Sequence, residues 1–284
     1  MRLPARLLHR KPDTHKGDYG HVLILAGSSR YIGSACLCAE SAMRAGAGRV
    51  TLGIPCGIHS VVASRVASEV MTLPLPETKS RSLGSAALKQ VENFSKDVDC
   101  VLVGPGLSAD ADTGHLVRAL VEAIVKPLII DADGLNAISG HVNVLKKNGP
   151  EIILTPHPKE MARLCGVSID AIRAQRKNIA KKFALRYNVT LILKGSSTVV
   201  SSKAGKLYEN STGNAGMATA GSGDVLSGIV AAFVAQGLEA FEASCSAVYI
   251  HGLSGDLAAE DKTQISLIAS DIIGYLPKAF KKVC

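Results

Sequence analysis

Residues 21–29 have the sequence HVLILAGSS, an apolar run that ends at a glycine and two serines. We predict a buried strand over residues 21–26 and a helix over residues 33–45. A short apolar run without polar alternation is typical of a strand that is covered on both faces. This segment therefore predicts a parallel sheet with helices packed above and below it.

Apolar runs of the same kind recur along the chain. A helix is predicted at residues 57–67, between the predicted strands at 49–54 and 99–103. The further predicted strands are at residues 49–54, 99–103, 127–130, 152–154, 190–193 and 198–201. Strands that alternate with helices predict a mostly parallel sheet with right-handed crossovers. We predict the α/β class and a single domain over residues 1–284, because even the most loop-like segment, 75–83, is too short to separate two domains.

Composition excludes several classes of protein. A chain of 284 residues with 47% hydrophobic residues is neither disordered nor a disulfide scaffold, and 4% aromatic residues without Trp do not suit a nucleic-acid platform. The net charge of +8 is spread along the chain, which fits a solvated surface or an anionic substrate such as a nucleotide.

Seven scattered cysteines predict reduced thiols, and the apolar runs are too short to cross a membrane. We expect a cytoplasmic protein without nucleic-acid or membrane partners.

Unusual residues follow five of the predicted strands. They are Gly27, the segment 104–106, Asp131, His157 and Lys194. Because the carboxyl ends of parallel strands meet at one edge of a sheet, where ligands bind, we expect these residues to lie close together.

The segment 214–224, NAGMATAGSGD, precedes apolar residues at helical spacing from Val225 to Phe233. Its glycines let backbone amides crowd the helix N-terminus, which is a site for phosphate. Asp224 falls in the first turn, where the helix dipole favours a carboxylate. Phosphate and carboxylate repel each other, so both together indicate phosphate chemistry screened by Mg²⁺. The alternative is a glycine-rich turn with a capping aspartate.

This segment resembles the nucleotide-binding and catalytic segment of the ribokinase-like superfamily. Within it, the chain is similar to the ADP- or ATP-dependent NAD(P)H-hydrate dehydratases over roughly residues 14 to 280. The other motifs, in the family's order, are KGDYG (16–20), AGS (26–28), RAGAG (44–48), GPGL (104–107), DADGLN (131–136), LTPHPKE (154–160) and LKG (193–195). The resemblance implies a three-layer fold with a mostly parallel central sheet and helices on both faces. Members also occur fused behind an epimerase domain, and we expect none before residue 14.

The resemblance also implies a nucleotide site, with Asp224 as the catalytic base. The nucleotide-binding residues would be Lys194, Gly195, Ser196, Ser197, Thr198, Asn214, Gly221, Ser222 and Gly223. Lys194 could instead be a solvated lysine at the end of a strand.

A second set of residues would bind the substrate. It comprises Ser34, Ala35, Gly106, Asn136, His157 and Asp224. The small residues could equally serve helix–sheet packing, and His157 could be a turn histidine. Asp131 and Asp133 could hold Mg²⁺ through water or bind hydroxyls, although Asp133 could equally cap a helix that begins near Leu135. We prefer Asn136 as the substrate contact and predict no metal site built from protein ligands.

The implied activity is a lyase reaction that repairs nicotinamide nucleotides. The S epimer of hydrated NADH or NADPH would be dehydrated to NAD(P)H, coupled to ADP or ATP hydrolysis, with Mg²⁺. The resemblance further implies a homo-oligomer, a tetramer, and functional pairing with an NAD(P)H-hydrate epimerase.

Two other functions remain open from the sequence. One is a ribokinase-like kinase for a vitamin precursor or a sugar. Thiazole and pyrimidine kinases commonly have Cys at the position of Asp224, and sugar kinases usually carry a lid that is not found here. The other is a silent binding protein, against which the intact Asp224 and glycines argue.

Overall fold

The computed structural model describes residues 3–146 and 149–284. Its strands are β1 His21–Leu25, β2 Arg49–Pro55, β3 Met71–Leu75, β4 Cys100–Val103, β5 Leu128–Ile130, β6 Ile152–Leu154, β7 Thr190–Leu193, β8 Val199–Ser201 and β9 Leu207–Glu209. Its α-helices are α1 Ala5–Leu8, α2 Ile32–Arg44, α3 His59–Ala63, α4 Leu88–Ser95, α5 Ala111–Ala123, α6 Asp133–Ile138, α7 Pro158–Cys165, α8 Ile169–Ala174, α9 Arg176–Tyr187, α10 Ser222–Ala235, α11 Ala240–Ser266 and α12 Ala269–Val283.

The nine strands form one sheet in the order β3-β2-β1-β4-β5-β6-β7-β8-β9. Neighbours from β3 to β7 are parallel, whereas β8 and β9 continue the sheet as antiparallel strands. The predicted mostly parallel sheet is therefore confirmed. The strand order reverses between β1 and β4, so the loops after these two strands open a crevice at the carboxyl edge.

Alternate residues of each central strand point into two separate cores. In β1, Val22 and Ile24 pack with helices α2, α10, α11 and α12, while Leu23 and Leu25 pack with α4 to α9. All four side chains are fully buried, and burial of each contributes roughly 1.5–3 kcal/mol. This packing explains the unbroken apolar run and confirms helices on both faces of the sheet.

Two strands at the edges of the sheet were not predicted. Strand β3 exposes Met71 and contains Pro74, and β9 exposes Leu207, so neither shows a continuous apolar run. Such mixed burial is expected of an edge strand, which is covered on fewer sides than a central one.

One predicted helix differs from the structure, and a second helical stretch is interrupted. The helix expected over 57–67 is a 3₁₀ turn, Cys56–Ile58, followed by the short α3. The basic stretch at 173–186 is divided between α8 and α9, because Gln175 leaves the helical conformation at φ −132°. Among the described helices, none combines the length and hydropathy needed to cross a bilayer.

Candidate active site

The N-terminus of α10 faces the carboxyl edge of the sheet. Gly221 precedes the helix with φ +89°, a left-handed conformation, and a Cβ there would lie 2.4 Å from Leu37 Cδ1. The amide of Ser222 donates to the Thr219 carbonyl, and within the described residues no side chain caps the first turn. Glycine is thus required at position 221, and the helix end is suited to an anion.

Asp224 lies in the first turn of α10. Burial, followed by the negative charge of Asp131, raises the pKa of Asp224 to about 6. A hydrogen bond from Ser34 and the charge of Lys194 oppose this rise in pKa. A carboxylate with such a pKa can accept a proton near neutral pH, which is the property required of a general base.

Lys194 forms a largely buried ion pair beside this helix. Its Nζ lies 2.7 Å from Asp131 Oδ1, and Ser227 Oγ donates to Asp131 Oδ2 at 2.6 Å. Burial favours neutral forms, yet the pair keeps both charges: the pKa of Asp131 is lowered and the pKa of Lys194 is raised. A Cβ on Gly223 would lie 3.2 Å from Lys194 Nζ. The alternative of a solvated lysine is therefore wrong, because the ammonium group lies against the first turn of α10.

The loops after β1 and β4 meet at the crevice. The Gly27 amide donates to the Pro105 carbonyl at 2.8 Å, and Ser28 Oγ donates to the Gly106 carbonyl at 2.8 Å. Gly106 has φ +65°, and a Cβ there would lie 2.9 Å from Ser34 Cβ. Gly106 and Ser34 are thus brought together.

Ala35 is the neighbour of Ser34 on α2. It is fully buried, and a Cβ on Gly27 would lie 3.0 Å from the Ala35 Cβ. The side chain of Ala35 therefore serves the helix–sheet packing that was the alternative to substrate binding.

His157 is the N-cap of α7. Its Nδ1 accepts from the amides of Lys159 and Glu160, both at 3.1 Å, while Glu160 Oε2 accepts from the His157 amide. Burial and the charge of Lys194 lower the pKa of His157, so the neutral ring has Nδ1 as acceptor and carries its proton on Nε2. The ring therefore caps the helix, and its Nε2 lies 3.3 Å from Glu160 Oε1 beside the edge of the sheet.

Asp133 is not the N-cap that the sequence allowed. Helix α6 begins at Asp133 itself, after Ala132 with φ +48°, and Asp133 Oδ2 accepts from the Ser108 amide at 2.8 Å. The Asn136 side chain lies between Asp133 Oδ1 and the Arg163 guanidinium, at 3.2 and 2.7 Å. The carboxylate thus joins the loop after β4 to α6 and orients Asn136.

The loop from Gly195 to Thr198 is held by Arg176. The Arg176 Nη2 lies 3.1 Å from the Leu193 carbonyl oxygen and 3.3 Å from that of Ser197, and a Cβ on Gly195 would lie 2.7 Å from Arg176 Nη1. Thr198 Oγ1 donates to the Gly195 carbonyl. Ser196 and Ser197 are exposed and line a cleft of about 450 Å³ with basic residues of α8 and α9.

Asn214 orders its own loop. Its Oδ1 accepts from the Gly216 amide at 3.0 Å, and its Nδ2 donates to the Gly255 carbonyl at 3.0 Å. The side chain therefore fixes the loop before α10, which leaves the backbone of that loop as the surface for a ligand.

The sequence reasoning missed three residues that order this site: Arg176, Ser227 and His251. Ser227 of α10 contacts Asp131, and His251 of α11 contacts Ser222. Both partners are distant in sequence. The available signal for His251 was the segment HGLSGD (251–256), in which two glycines interrupt a helical pattern.

The chain is similar to known NAD(P)H-hydrate dehydratases along most of its length. A family model described as NAD(P)H-hydrate dehydratase matches residues 22–278. The bifunctional NAD(P)H-hydrate repair enzyme Nnr of Moorella thermoacetica is 41% identical over 279 residues, which cover 98% of this chain and 52% of that protein. This chain spans about half the length of the bifunctional relatives it matches.

Two further proteins match along most of their length. The ADP-dependent (S)-NAD(P)H-hydrate dehydratase of Neisseria meningitidis serogroup B is 36% identical over 92% of this chain and 84% of its own. The structure of the Bacillus subtilis ADP/ATP-dependent NAD(P)H-hydrate dehydratase, co-crystallised with ATP/Mg²⁺, superimposes with a TM-score of 0.84 at 28% identity, covering 99% and 95% of the two chains. The ribokinase-like fold implied by the resemblance is confirmed. The chain belongs to the NAD(P)H-hydrate dehydratase family.

Proposed function

We propose that this chain dehydrates the S epimer of hydrated NADH or NADPH to NAD(P)H, at the expense of ADP or ATP. One observation carries the proposal: a half-buried carboxylate with a pKa of about 6, Asp224, lies in an uncapped helix turn beside the Lys194 ammonium. That arrangement places a proton acceptor beside two groups that can stabilise a phosphoryl group, the N-terminus of α10 and the Lys194 ammonium. The family membership supplies the substrate class.

The first step is phosphoryl transfer to the hydroxyl group of the hydrated ring. Asp224 accepts the hydroxyl proton, the oxygen attacks the terminal phosphorus, and the bond from that phosphorus to the nucleotide's bridging oxygen breaks. The amides of residues 221–223 and the Lys194 ammonium stabilise the charge on the phosphoryl oxygens.

The second step is elimination. Phosphate leaves with the bonding pair of the ring C–O bond, and the adjacent carbon loses a proton to re-form the C=C bond. Phosphorylation is needed because phosphate is a far better leaving group than hydroxide. The loops at Gly106 and His157 would hold the ring and its carboxamide close to α10.

Mg²⁺ would bind mainly to the nucleotide. The carboxylate oxygens of Asp131 are engaged by Lys194 and Ser227, and those of Asp133 by Ser108 and Asn136, which leaves Asp224 as the accessible carboxylate at α10. Mg²⁺ binds phosphate oxygens and keeps several waters, so the ion would need no direct protein ligand here and Asp224 would remain free to accept the proton. When bound, the ion would neutralise charge on the phosphates.

The biological setting belongs to the same proposal. We propose a single catalytic domain over residues 1–284 that assembles as a homo-oligomer, a tetramer, and works with an NAD(P)H-hydrate epimerase. The bifunctional relatives support the pairing, and the oligomer rests on the resemblance to the family. All seven cysteines are free thiols, which suits the cytoplasm. Light scattering coupled to gel filtration measures the number of chains.

The activity is tested by incubating the protein with hydrated NADH, Mg²⁺ and either ADP or ATP. We expect the near-ultraviolet absorbance of the reduced nicotinamide to return only when a nucleotide is present, with one phosphate released per NADH formed. Nucleotide consumption without recovery of that absorbance would instead indicate a kinase.

The substitution Gly223→Val is expected to abolish tight nucleotide binding. Gly223 has helical backbone angles, so a side chain there causes no backbone strain, but a branched side chain would occupy the space between the first turn and Lys194 Nζ. Gly223→Ala is the matched control, because the flexible end of Lys194 can retreat from a single methyl group. Calorimetry with ADP should show a large loss of affinity for Gly223→Val and a small loss for Gly223→Ala. If Gly223→Val binds ADP and ATP as tightly as the wild type does, the phosphates bind elsewhere.

The substitution His157→Ala is expected to raise the KM for the hydrate and to leave the nucleotide KM unchanged. Loss of one hydrogen bond corresponds to roughly 0.5–1.5 kcal/mol, or up to about 3 kcal/mol if the partner is charged. The variant also loses the N-cap of α7, which costs about 1 kcal/mol of stability. His157→Asn, which retains capping capacity, separates the two effects. A rise in the nucleotide KM alone would mean that the two halves of the site are reversed.

A further inference from the structure

Helix α11 contacts the loop that leads into α10 at successive turns. Near the start of the loop, Asn210 Nδ2 donates to the Val248 carbonyl at 3.1 Å, and Thr212 Oγ1 donates to the Tyr249 carbonyl at 2.9 Å. Contacts further along α11 are spaced three to four residues apart, so they share one face of the helix.

Asp256 binds Gly213 and Asn214, the first residues of the segment 213–222. Its Oδ2 accepts from the Gly213 amide at 2.8 Å, and its Oδ1 accepts from Asn214 Nδ2 at 3.0 Å. Hydrogen bonds to a carboxylate are stronger than those between neutral groups. Asn214 Oδ1 in turn accepts from the Gly216 amide, so the Asn214 side chain links the carboxylate to that amide.

His251 binds the far end of the loop. Its Nε2 lies 3.0 Å from the carbonyl oxygen of Ser222, the first residue of α10. Burial lowers the pKa of His251 to about 4, so the ring is neutral at physiological pH. Because a carbonyl oxygen only accepts, Nε2 carries the proton and donates it.

Two glycines allow α11 to approach the loop. A Cβ on Gly252 would lie 2.3 Å from Thr212 Oγ1, and a Cβ on Gly255 would lie 2.3 Å from Met217 Sδ. The face of α11 that contains these two glycines therefore packs closely against residues 212–222. A small shift of α11 would move the turn that carries Asp224.

We propose that His251 and Asp256 are positioning residues that hold the two ends of the loop 213–222, so that the amides before α10 and the Asp224 carboxylate are aligned for phosphoryl transfer. Neither residue is assigned a contact with substrate. The proposal rests on the proposed function for the identity of the reaction, but its effect on anion binding does not depend on the hydrate. Misplacement of a reacting group by about 1 Å can reduce a rate by about 10²-fold.

The test uses three variants of the full chain and one control on the same helix. His251→Leu removes the donor to Ser222, His251→Gln supplies an amide N–H at nearly the same distance, and Asp256→Ala removes both acceptors. Asp261→Ala is the matched control, since Asp261 lies on α11 but pairs with Lys278, away from the loop. The measurements are the Kd for ADP by calorimetry, kcat, the hydrate KM and the midpoint of thermal unfolding.

We expect His251→Leu and Asp256→Ala to weaken ADP binding by about tenfold and to lower kcat by up to about 10²-fold, with the hydrate KM unchanged. His251→Gln should recover most of the loss, and Asp261→Ala should behave as the wild type. If both variants bind ADP and turn over as the wild type does, the proposal is wrong. If activity falls only in proportion to the unfolded fraction, or if Gln and Leu lose kcat equally, it is also wrong. A wild-type protein that binds ADP but never restores NADH would overturn the proposed function instead, while the ADP affinities would still test the positioning roles.

Discussion

Asp224→Asn is expected to lower turnover by about 10²–10⁴-fold, which is the usual cost of losing a general base. The asparagine side chain has nearly the same shape, so it keeps the packing of the first turn of α10 but cannot accept the hydroxyl proton. Nucleotide binding should persist, because backbone amides and Lys194 hold the phosphates. Single-turnover kinetics and calorimetry with ADP measure the two effects separately.

The same variant is expected to be more stable than the wild type at neutral pH. The folded-state pKa of about 6 lies above the ordinary value of 3.8, so protonation favours the folded state. This stabilisation is complete below about pH 4 and is lost as the pH rises through 6, at a cost on the order of 1–3 kcal/mol. Urea denaturation across this range should show that the stability of Asp224→Asn relative to the wild type increases with pH. Turnover near the wild-type level would exclude Asp224 as the base.

Lys194→Met is expected to be among the most destabilising substitutions in the site. It leaves the Asp131 carboxylate buried without its counter-ion, and breaking a buried pair in this way typically costs about 3–5 kcal/mol. The side chains of Lys194 and Asp131 are only 16% and 1% exposed. Turnover per folded molecule should also fall, because the ammonium beside Gly223 is lost from the phosphoryl site. Urea denaturation and kinetics on the folded fraction measure both effects.

Two further variants serve as controls for Lys194→Met. Lys203→Met breaks the ion pair with Glu151, whose side chains are 46% and 37% exposed, and it should cost less than about 1 kcal/mol. The double variant Asp131→Asn with Lys194→Met removes both charges, so it should regain stability but not turnover. A double variant that regains turnover would show that Lys194 acts only as the counter-ion of Asp131.

The central strands could be predicted from the sequence because burial on both faces leaves an unbroken apolar run. Strands β6 and β7 were predicted with the observed bounds, and β1 differs by one residue at its end. The edge strands β3 and β9 could not be found in this way, since their residues are only partly covered. The division between α8 and α9 depends on the backbone of a single residue, Gln175, which no pattern of apolar spacing indicates.

The sequence also predicted that residues following the parallel strands lie at one edge of the sheet, and the structure brings Lys194 to Asp131 and the loop after β1 to the loop after β4 there. It could not show how the side chains are used. Lys194 is chemically the same residue whether it is solvated or paired, and only the fold brings it to Asp131, which is 63 residues away. His251 follows no strand, and the glycines after it indicate close helix packing but not the group that the ring contacts, because that contact depends on the crossing of α11 with the loop before α10.

The fate of the hydroxyl oxygen tests the account most directly. Hydrated NADH labelled with heavy oxygen in its ring hydroxyl is incubated with the protein, Mg²⁺ and ADP or ATP, and the products are analysed by mass spectrometry. If Asp224 and the α10 amides direct phosphoryl transfer to that hydroxyl, the label will leave the ring within inorganic phosphate, one labelled phosphate for each NADH formed. Recovery of the label in water, with unlabelled phosphate, would contradict phosphoryl transfer to the substrate.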